Sequence, residues 1–390
     1  MQHTRRAFLR TATGTGLIAY GWLRDDWRGH LAKAQEAAPP TQKPATVAGN
    51  ESFWYYVQQA YDLDRSLINL NNGGVAPSPR IVHEAMKRQL DWANHAPSKH
   101  LWLEQDPQVE LVRERLARAF GCDPEEMAVT RNASESLQIA LNGISLKPGD
   151  EILTTTQDYG RMLNTIKQRE RRDGIVMKQI KLPVPIKSSD EVIKLFEQAM
   201  TEKTRALLMC HVVNITGEIL PVAEVCRLAK DRGIRTIVDG AHAFAHLVYQ
   251  VGDLECDLYA TSLHKWLSAP IGTGFLYVRR DLIKDLWPLQ AAPSELDENI
   301  RKFEEIGTHP TAPRLAIAEA LTFYLGIGAQ RKEARLRWLR DYWAIRVSKH
   351  ERVKFHTNLD PSHSCGLATM EITGIDPVAL TSHLWKAHKI

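Results

Sequence analysis

The sequence predicts an α/β protein, with an open, mostly parallel sheet in a large domain and a smaller α+β domain after it. Two observations carry this. Between residues 127 and 280 short apolar runs alternate with amphipathic helical stretches, joined by short links. From about residue 281 that alternation gives way to long helical stretches. At 390 residues the chain is long for one domain and comfortable for two. No internal repeat is present.

Taken in order, "LINLNNGGVAPSPR" (67–80) reads as a short strand and a Gly/Pro turn that opens a helix near Pro79. Residues 80–95 and 107–120 have helical apolar spacing. "MAVTRNASESLQIALNGISL" (127–146) is strand, polar turn and helix. "DEILTTTQDYG" (150–160) is strand and loop before a helix over 161–173. A strand over 175–183, a helix over 190–202 and an apolar strand from 204 follow. Then come helix 222–232, strand "IRTIVDGAHAF" (234–244), and a strand pair built from "DLYATSLHKWL" and "GTGFLYVRR". Helices over 313–326 and 328–349 lead to a final strand and helix in "GLATMEITGIDPVALTSHLWKAHKI". The expected division is a leader over 1–34, a flexible lead-in over 35–50, an N-terminal segment over 51–78 packing with the small domain, a large domain over 79–280 and a small domain over 281–390.

A hydrophobic fraction of 44% and a charged fraction of 25% are ordinary for a globular protein. The net charge of +4 is slight and its basic residues are scattered, which argues against nucleic acid as a partner. Five cysteines at wide spacings include no CxxC pair, so neither a zinc ribbon nor a disulfide framework is indicated. The N-terminus is more specific. "TRRAFL" places Arg5 and Arg6 before a weakly apolar run too short for a stable membrane span. That order matches the bacterial twin-arginine export pattern, and "AKAQ" offers cleavage after Ala34. Periplasmic or exported placement is the expectation. A route that moves folded proteins suits an enzyme that collects a cofactor before it leaves.

In an open parallel sheet, ligand groups collect at the C-terminal ends of strands. Those ends carry "TRNASES", "TTTQDYG", "CHVVNITGE", "VDGAHAF" and "TSLHKWL". Five loops would thus place Ser134, Tyr159, Asn214, Asp239, His242, His264 and Lys265 around one crevice. Lys265 stands in a stretch, 258–278, with no other Lys, Arg, Asp or Glu, which fits an amine kept nucleophilic for a Schiff base. Asp239 at an apolar strand end is costly to bury unpaired. A protonated heterocyclic nitrogen would stabilise it and make the ring an electron sink. "RNASES" opens a helix as a phosphate cradle, to which Ser262 and His264 could add hydrogen bonds. Tyr159 could stack on a flat ring. Together these parts describe pyridoxal 5′-phosphate. Each part alone has a plainer reading: Asp239-Gly240 as a turn, Tyr159 as packing, Asn132 or Ser134 as a helix cap. His242 and His246 stand at a metal-ligand spacing but lack the acidic residue of an H-E-x-x-H site, and no metal is expected.

The series "RNASES", "QDYG", "HVVNITGEILPV", "VDGAHAFAH" and "TSLHKWLSAPIGTGFLYVRR" resembles the class V aminotransferase superfamily of fold type I, most of all its isopenicillin N epimerase-like branch. The resemblance spans about residues 65–390. It implies a fold type I pyridoxal phosphate-dependent transferase fold, with Lys265 as the Schiff-base lysine and Asp239 as partner of the pyridine nitrogen. His242 takes the place of a Gln or His near the ring hydroxyl. Ala133 and Ser134 fall in the phosphate loop, completed by Ser262 and His264. Asn214 falls where an asparagine approaches cofactor and substrate. Asn72 and Gly73 match the segment lining the substrate side. Thr308 in "IGTHP" matches a threonine that reaches the phosphate of a neighbouring subunit, which implies a homodimer with shared active sites.

Tyr159 stands where many relatives stack a histidine. Relatives also continue past the last helix with further strands and an arginine that grips the substrate carboxylate, whereas this sequence stops at Ile390. The small domain is therefore expected to be incomplete. Cysteine desulfurases carry their nucleophile in that later segment, so Cys365 is read as structural. Two readings follow. One is a pyridoxal phosphate enzyme acting at the α-carbon of an amino acid or amino-acid-derived substrate through an internal aldimine, as epimerase, aminotransferase or lyase. The other is a protein that binds the cofactor but is catalytically impaired. A nucleotide-binding α/β protein lacks support, since neither a P-loop nor G-x-G-x-x-G is present.

Overall fold

The computed structural model describes residues 27–390. The short apolar runs become strands β1 (Met127–Thr130), β2 (Glu151–Thr155), β3 (Val176–Ile180), β4 (Thr204–Cys210), β5 (Arg235–Asp239), β6 (Leu258–Ser262) and β7 (Gly274–Val278). They form one sheet in the order β1-β7-β6-β5-β4-β2-β3. β7 is antiparallel to both its neighbours and the other pairs are parallel. β1 to β6 therefore all point the same way and end along one edge of the sheet.

Both faces of the sheet are covered, because successive strand residues point to opposite sides. In β4, Leu207 and Met209 join an apolar cluster with Val112, Leu116 and Phe120. Ala206 and Leu208 join the opposite cluster with Leu137, Ile152 and Ile166. In chain order come α1 (Trp27–Ala37), α2 (Pro44–Ala48) and α3 (Glu51–Gln59), which build a separate cluster, and then α4 (Arg80–His95), α5 (Val109–Phe120), α6 (Ala133–Gly143), α7 (Gly160–Asp173), α8 (Ser189–Ala199) and α9 (Val222–Asp231), which supply these layers. After the sheet come α10 (Ala312–Ile327) and α11 (Ala329–Val347), then a two-stranded antiparallel pair, β8 (Val353–Phe355) and β9 (Met370–Ile372), and α12 (Pro377–His388). No helix among the described residues is long and apolar enough to cross a membrane.

Three expectations change. Residues 67–70 form no strand; Ile68 and Leu70 are exposed, and the Ile68 N–H donates to the Lys389 carbonyl at 2.9 Å. The lead-in expected to be flexible over 35–50 contains α2, and Ala38 and Val47 are fully buried with Phe53 and Val57 against Phe323 and Ile327. Small side chains close this packing, so composition alone suggested a tether. Finally, α10 was grouped with the small domain, yet Leu315, Ile317 and Leu321 enter the same cluster as Val82 and Val112. Residues 1–26, with the twin-arginine pattern, lie outside the described residues, while Ala34, the expected cleavage position, is fully buried in α1.

Candidate active site

β5 ends in Asp239, which is buried, and its Oδ1 accepts the Ala241 N–H at 3.0 Å. Burial pushes the carboxyl up to about 6, against the Ala241 N–H and the charge of Lys265, which lower it. Lys265 follows β6. Burial holds its amine below the usual lysine range, opposed by Asp239 and Cys210. Its Nζ lies 3.0 Å from Nε2 of His242. Burial, then Lys265 and His246, hold the His242 imidazole well below its ordinary range, so it is neutral. With Nε2 facing the amine as acceptor, the ring proton is assigned to Nδ1, which is buried without a partner.

The other side of the site is the start of α6. β1 delivers the chain to Asn132, whose side chain accepts the Glu135 N–H at 2.9 Å and caps the helix. Ser262 Oγ accepts the Ala133 N–H at 2.9 Å, which ties the end of β6 to the first turn of α6. This approach depends on Gly274. A Cβ there would lie 2.7 Å from Asn132 Cα and 2.6 Å from the Thr261 carbonyl oxygen. His264 places Nδ1 3.3 Å from the Thr273 carbonyl, and burial lowers its affinity for a second proton. Tyr159 precedes α7, and its hydroxyl accepts from Arg161 Nε at 3.2 Å.

Asp239, His242, His264 and Lys265 line one cavity of about 310 Å³, and so do Ala133, Ser134, Tyr159, Asn214 and Ser262. Gly73 lies beside it, with a Cβ there placed 3.9 Å from His242 Cε1 and 3.4 Å from Trp266 Cζ2. Asn72 is elsewhere, on a cavity beyond the 266–268 segment. Thr308 lines a different surface cavity with Leu90 and Pro310. Its expected role concerns a neighbouring subunit, so its distance from this site within one chain does not bear on that role.

The sequence reading missed Asp158. It is buried, and its Oδ2 accepts from Thr154 Oγ1 and Thr155 N–H, both at 2.7 Å, while Oδ1 accepts the Cys210 N–H at 2.9 Å. It thereby pins the loop carrying Tyr159 to the ends of β2 and β4. An acid following three threonines in "TTTQDYG" was the available signal. His246 also has a structural task. Its Nδ1 lies 2.6 Å from the His242 carbonyl, its Nε2 accepts the Gly366 N–H at 2.8 Å, and its ring stacks 3.8 Å from Trp266. Both ring nitrogens are engaged by the backbone.

The donors fit pyridoxal 5′-phosphate. The orphaned Nδ1 of His242 suits a ring hydroxyl, and the buried carboxylate of Asp239 suits a pyridinium nitrogen. The Ala133 and Glu135 N–H groups at the start of α6 already have acceptors, and the Ser134 N–H is the first-turn donor that suits a phosphate. The family model described as Aminotransferase class-V matches residues 68–390. The chain belongs to the class V aminotransferase family. A member, isopenicillin N epimerase of Amycolatopsis lactamdurans, is 32% identical over 86% of this chain and 89% of its own length. Cysteine desulfurase of Haloferax volcanii is 25% identical over 74% of this chain and 71% of its own. Among solved structures, the cysteine desulfurase CsdA of Escherichia coli superposes with a TM-score of 0.74 at 20% identity, covering 88% of this chain and 86% of that one. At that identity the superposition shows the fold, that of fold type I enzymes. Pyridoxal 5′-phosphate is the cofactor that the family and these residues assign to the site.

Proposed function

We propose that the protein is a pyridoxal phosphate-dependent enzyme that moves a proton at the α-carbon of an amino acid or an amino-acid-derived substrate, with epimerisation as the net reaction. The single observation behind it is the Lys265 amine, held in one cavity with His242 and the buried carboxylate of Asp239. When bound, the cofactor supplies an electron sink that acidifies the α-carbon.

The chain's own groups do the rest. Asp239 holds a negative charge where the ring nitrogen would sit and keeps that nitrogen protonated. The first turn of α6, Ser134 and Ser262 hold the phosphate, and Tyr159 covers the ring. Lys265 Nζ, biased by burial toward the free amine, takes the α-proton. The ammonium so formed keeps that proton until solvent removes it; a solvent proton that reaches the opposite face of the α-carbon inverts it, whereas return of the proton from Lys265 restores the starting configuration. The likeness to the Amycolatopsis epimerase supports epimerisation over sulfur removal. So does the thiol chemistry: Cys210, on the cavity wall, and Cys365 are both buried, and burial pushes Cys365 up to about 12 and holds Cys210 well above the usual thiol range.

Two further proposals belong to the same reading. The protein works as a homodimer in which Thr308 serves the phosphate of the partner's site, supported by the place of Thr308 in "IGTHP". It leaves the cytoplasm folded, supported by the Arg5-Arg6 pattern.

The test is α-proton exchange in deuterated water, followed by NMR over a panel of D- and L-amino acids and their peptides, with Lys265→Ala as control. The reading expects a yellow protein whose visible band is bleached by borohydride, and exchange with loss of optical purity. A yellow protein that exchanges no α-proton of any panel member would overturn it.

A further inference from the structure

A second cavity, of about 580 Å³, is lined by Leu267 and Ser268, just past Lys265 in the chain. That is within the size range of small-molecule sites, about 300–1,000 Å³. Three helices supply much of its wall, Trp54 of α3, Phe323 and Tyr324 of α10, and Leu336 and Leu339 of α11, and Asn72, Pro77 and Leu267 of the loops complete it. The Trp54 indole N–H is already donated to the Val47 carbonyl at 2.8 Å, so this wall presents ring surface rather than a free donor.

Two cations reach this cavity, and they differ. Arg335 is satisfied, pairing with Glu51 at 2.6 Å and lying over the rings of Trp54 and Trp338. Lys332 has no carboxylate partner among the described residues. Its Nζ donates to the Trp266 carbonyl and lies 5.4 Å from the Tyr324 ring centre. Burial pushes its pKa down to about 7, with little to oppose it. An ammonium set in apolar walls without a counter-charge is costly, and a bound carboxylate would relieve that cost.

We propose that this cavity is a binding site for an amphipathic monocarboxylate, its carboxylate at Lys332 and its apolar body along Trp54, Phe323 and Leu336. The ligand class is an alkanoic or arylalkanoic acid. The site is separate from the proton-transfer chemistry proposed above and does not rest on it.

Isothermal titration of the cofactor-loaded protein at pH 6.5 with octanoate, and with 1-octanol as the uncharged control, tests this. Octanoate binds one per chain and at least tenfold more tightly than octanol. Lys332→Met brings octanoate to within about twofold of octanol. Leu339→Glu, a substitution at an exposed rim position, weakens octanoate at least fivefold and octanol less. It decides the matter should the Lys332 variant fail to fold. Absence of saturable octanoate binding, equal affinity for acid and alcohol, or octanoate binding unchanged in the folded variants would overturn the proposal.

Discussion

The Lys265 amine lies 3.0 Å from Nε2 of His242, and burial drives both groups toward their neutral forms. A free amine is the nucleophile and the base; an ammonium is neither. The pair thus favours a reactive lysine at neutral pH. Replacing Lys265 by Ala is expected to lower α-proton exchange by about 10²–10⁴-fold, the range for losing a positioned acid–base group. His242→Gln, which keeps a side-chain donor, should retain more exchange than His242→Ala. Equal losses in the two His242 variants, read by NMR, would remove the donor from the account.

Asp239 is a charge the fold does not want until a cation meets it. Without cofactor its carboxyl sits at about 6, raised by burial. Its stabilising contribution is therefore complete below the unfolded value and is lost as pH rises through about 6. Asp239→Asn keeps the acceptor for the Ala241 N–H and removes the charge. The cofactor-free variant should be more stable than wild type at pH 8, by on the order of 1–3 kcal/mol, and gain little at pH 4. Exchange in the loaded variant should fall by about 10²–10³-fold, the scale of losing a fixed electrostatic partner. Thermal melts at the two pH values and the NMR assay check both halves.

The site residues could be read in advance because each stands just past an apolar run, where a parallel sheet delivers its loops. Asp239, Ser262 and Lys265 needed only strand order and direction. What stayed hidden depended on contacts that no short window contains. The pattern of Leu67, Ile68 and Leu70 looks like a strand, but a strand needs a neighbour, and these side chains are exposed. Ala38 and Val47 looked like part of a tether because small residues give a weak periodic signal, yet they close a core with Phe53 and Phe323. Asn72 matched a substrate-side motif, and it lines a cavity that Trp54, Phe323 and Leu336 share.

Asp158 was hidden for a related reason, since an acid in a polar turn is ordinarily solvated. Here it is buried with three donors from β2 and the end of β4. Asp158→Ala leaves the Thr155 and Cys210 N–H groups without their acceptor. Each such group costs about 1–3 kcal/mol. The variant should melt well below wild type and bind cofactor more weakly, because the loop bearing Tyr159 loses its anchor. Asp158→Asn keeps part of the acceptor set and should fall between the two. A melting point unchanged in Asp158→Ala would mean that water or a shifted side chain replaces the carboxylate.

Glu218 joins two loops distant in sequence at a single oxygen. Its Oε1 accepts the Asn358 N–H at 2.7 Å and the Ile186 N–H at 3.2 Å, while Oε2 is buried without a partner. Burial pushes this carboxyl up to about 7, against the two N–H groups that lower it. A raised carboxyl contributes stability that is complete below its unfolded value, near 4.5, and is lost as pH rises through about 7. Above that value a charge must be held in the junction between the 186 loop and the 358 loop. Glu218→Gln removes the charge and keeps the accepting oxygen. The variant should melt higher than wild type at pH 8 and gain nothing at pH 5, where wild type is already protonated. A gain of equal size at both pH values would point to packing instead of charge, and a loss at pH 8 would show that the carboxylate is welcome there.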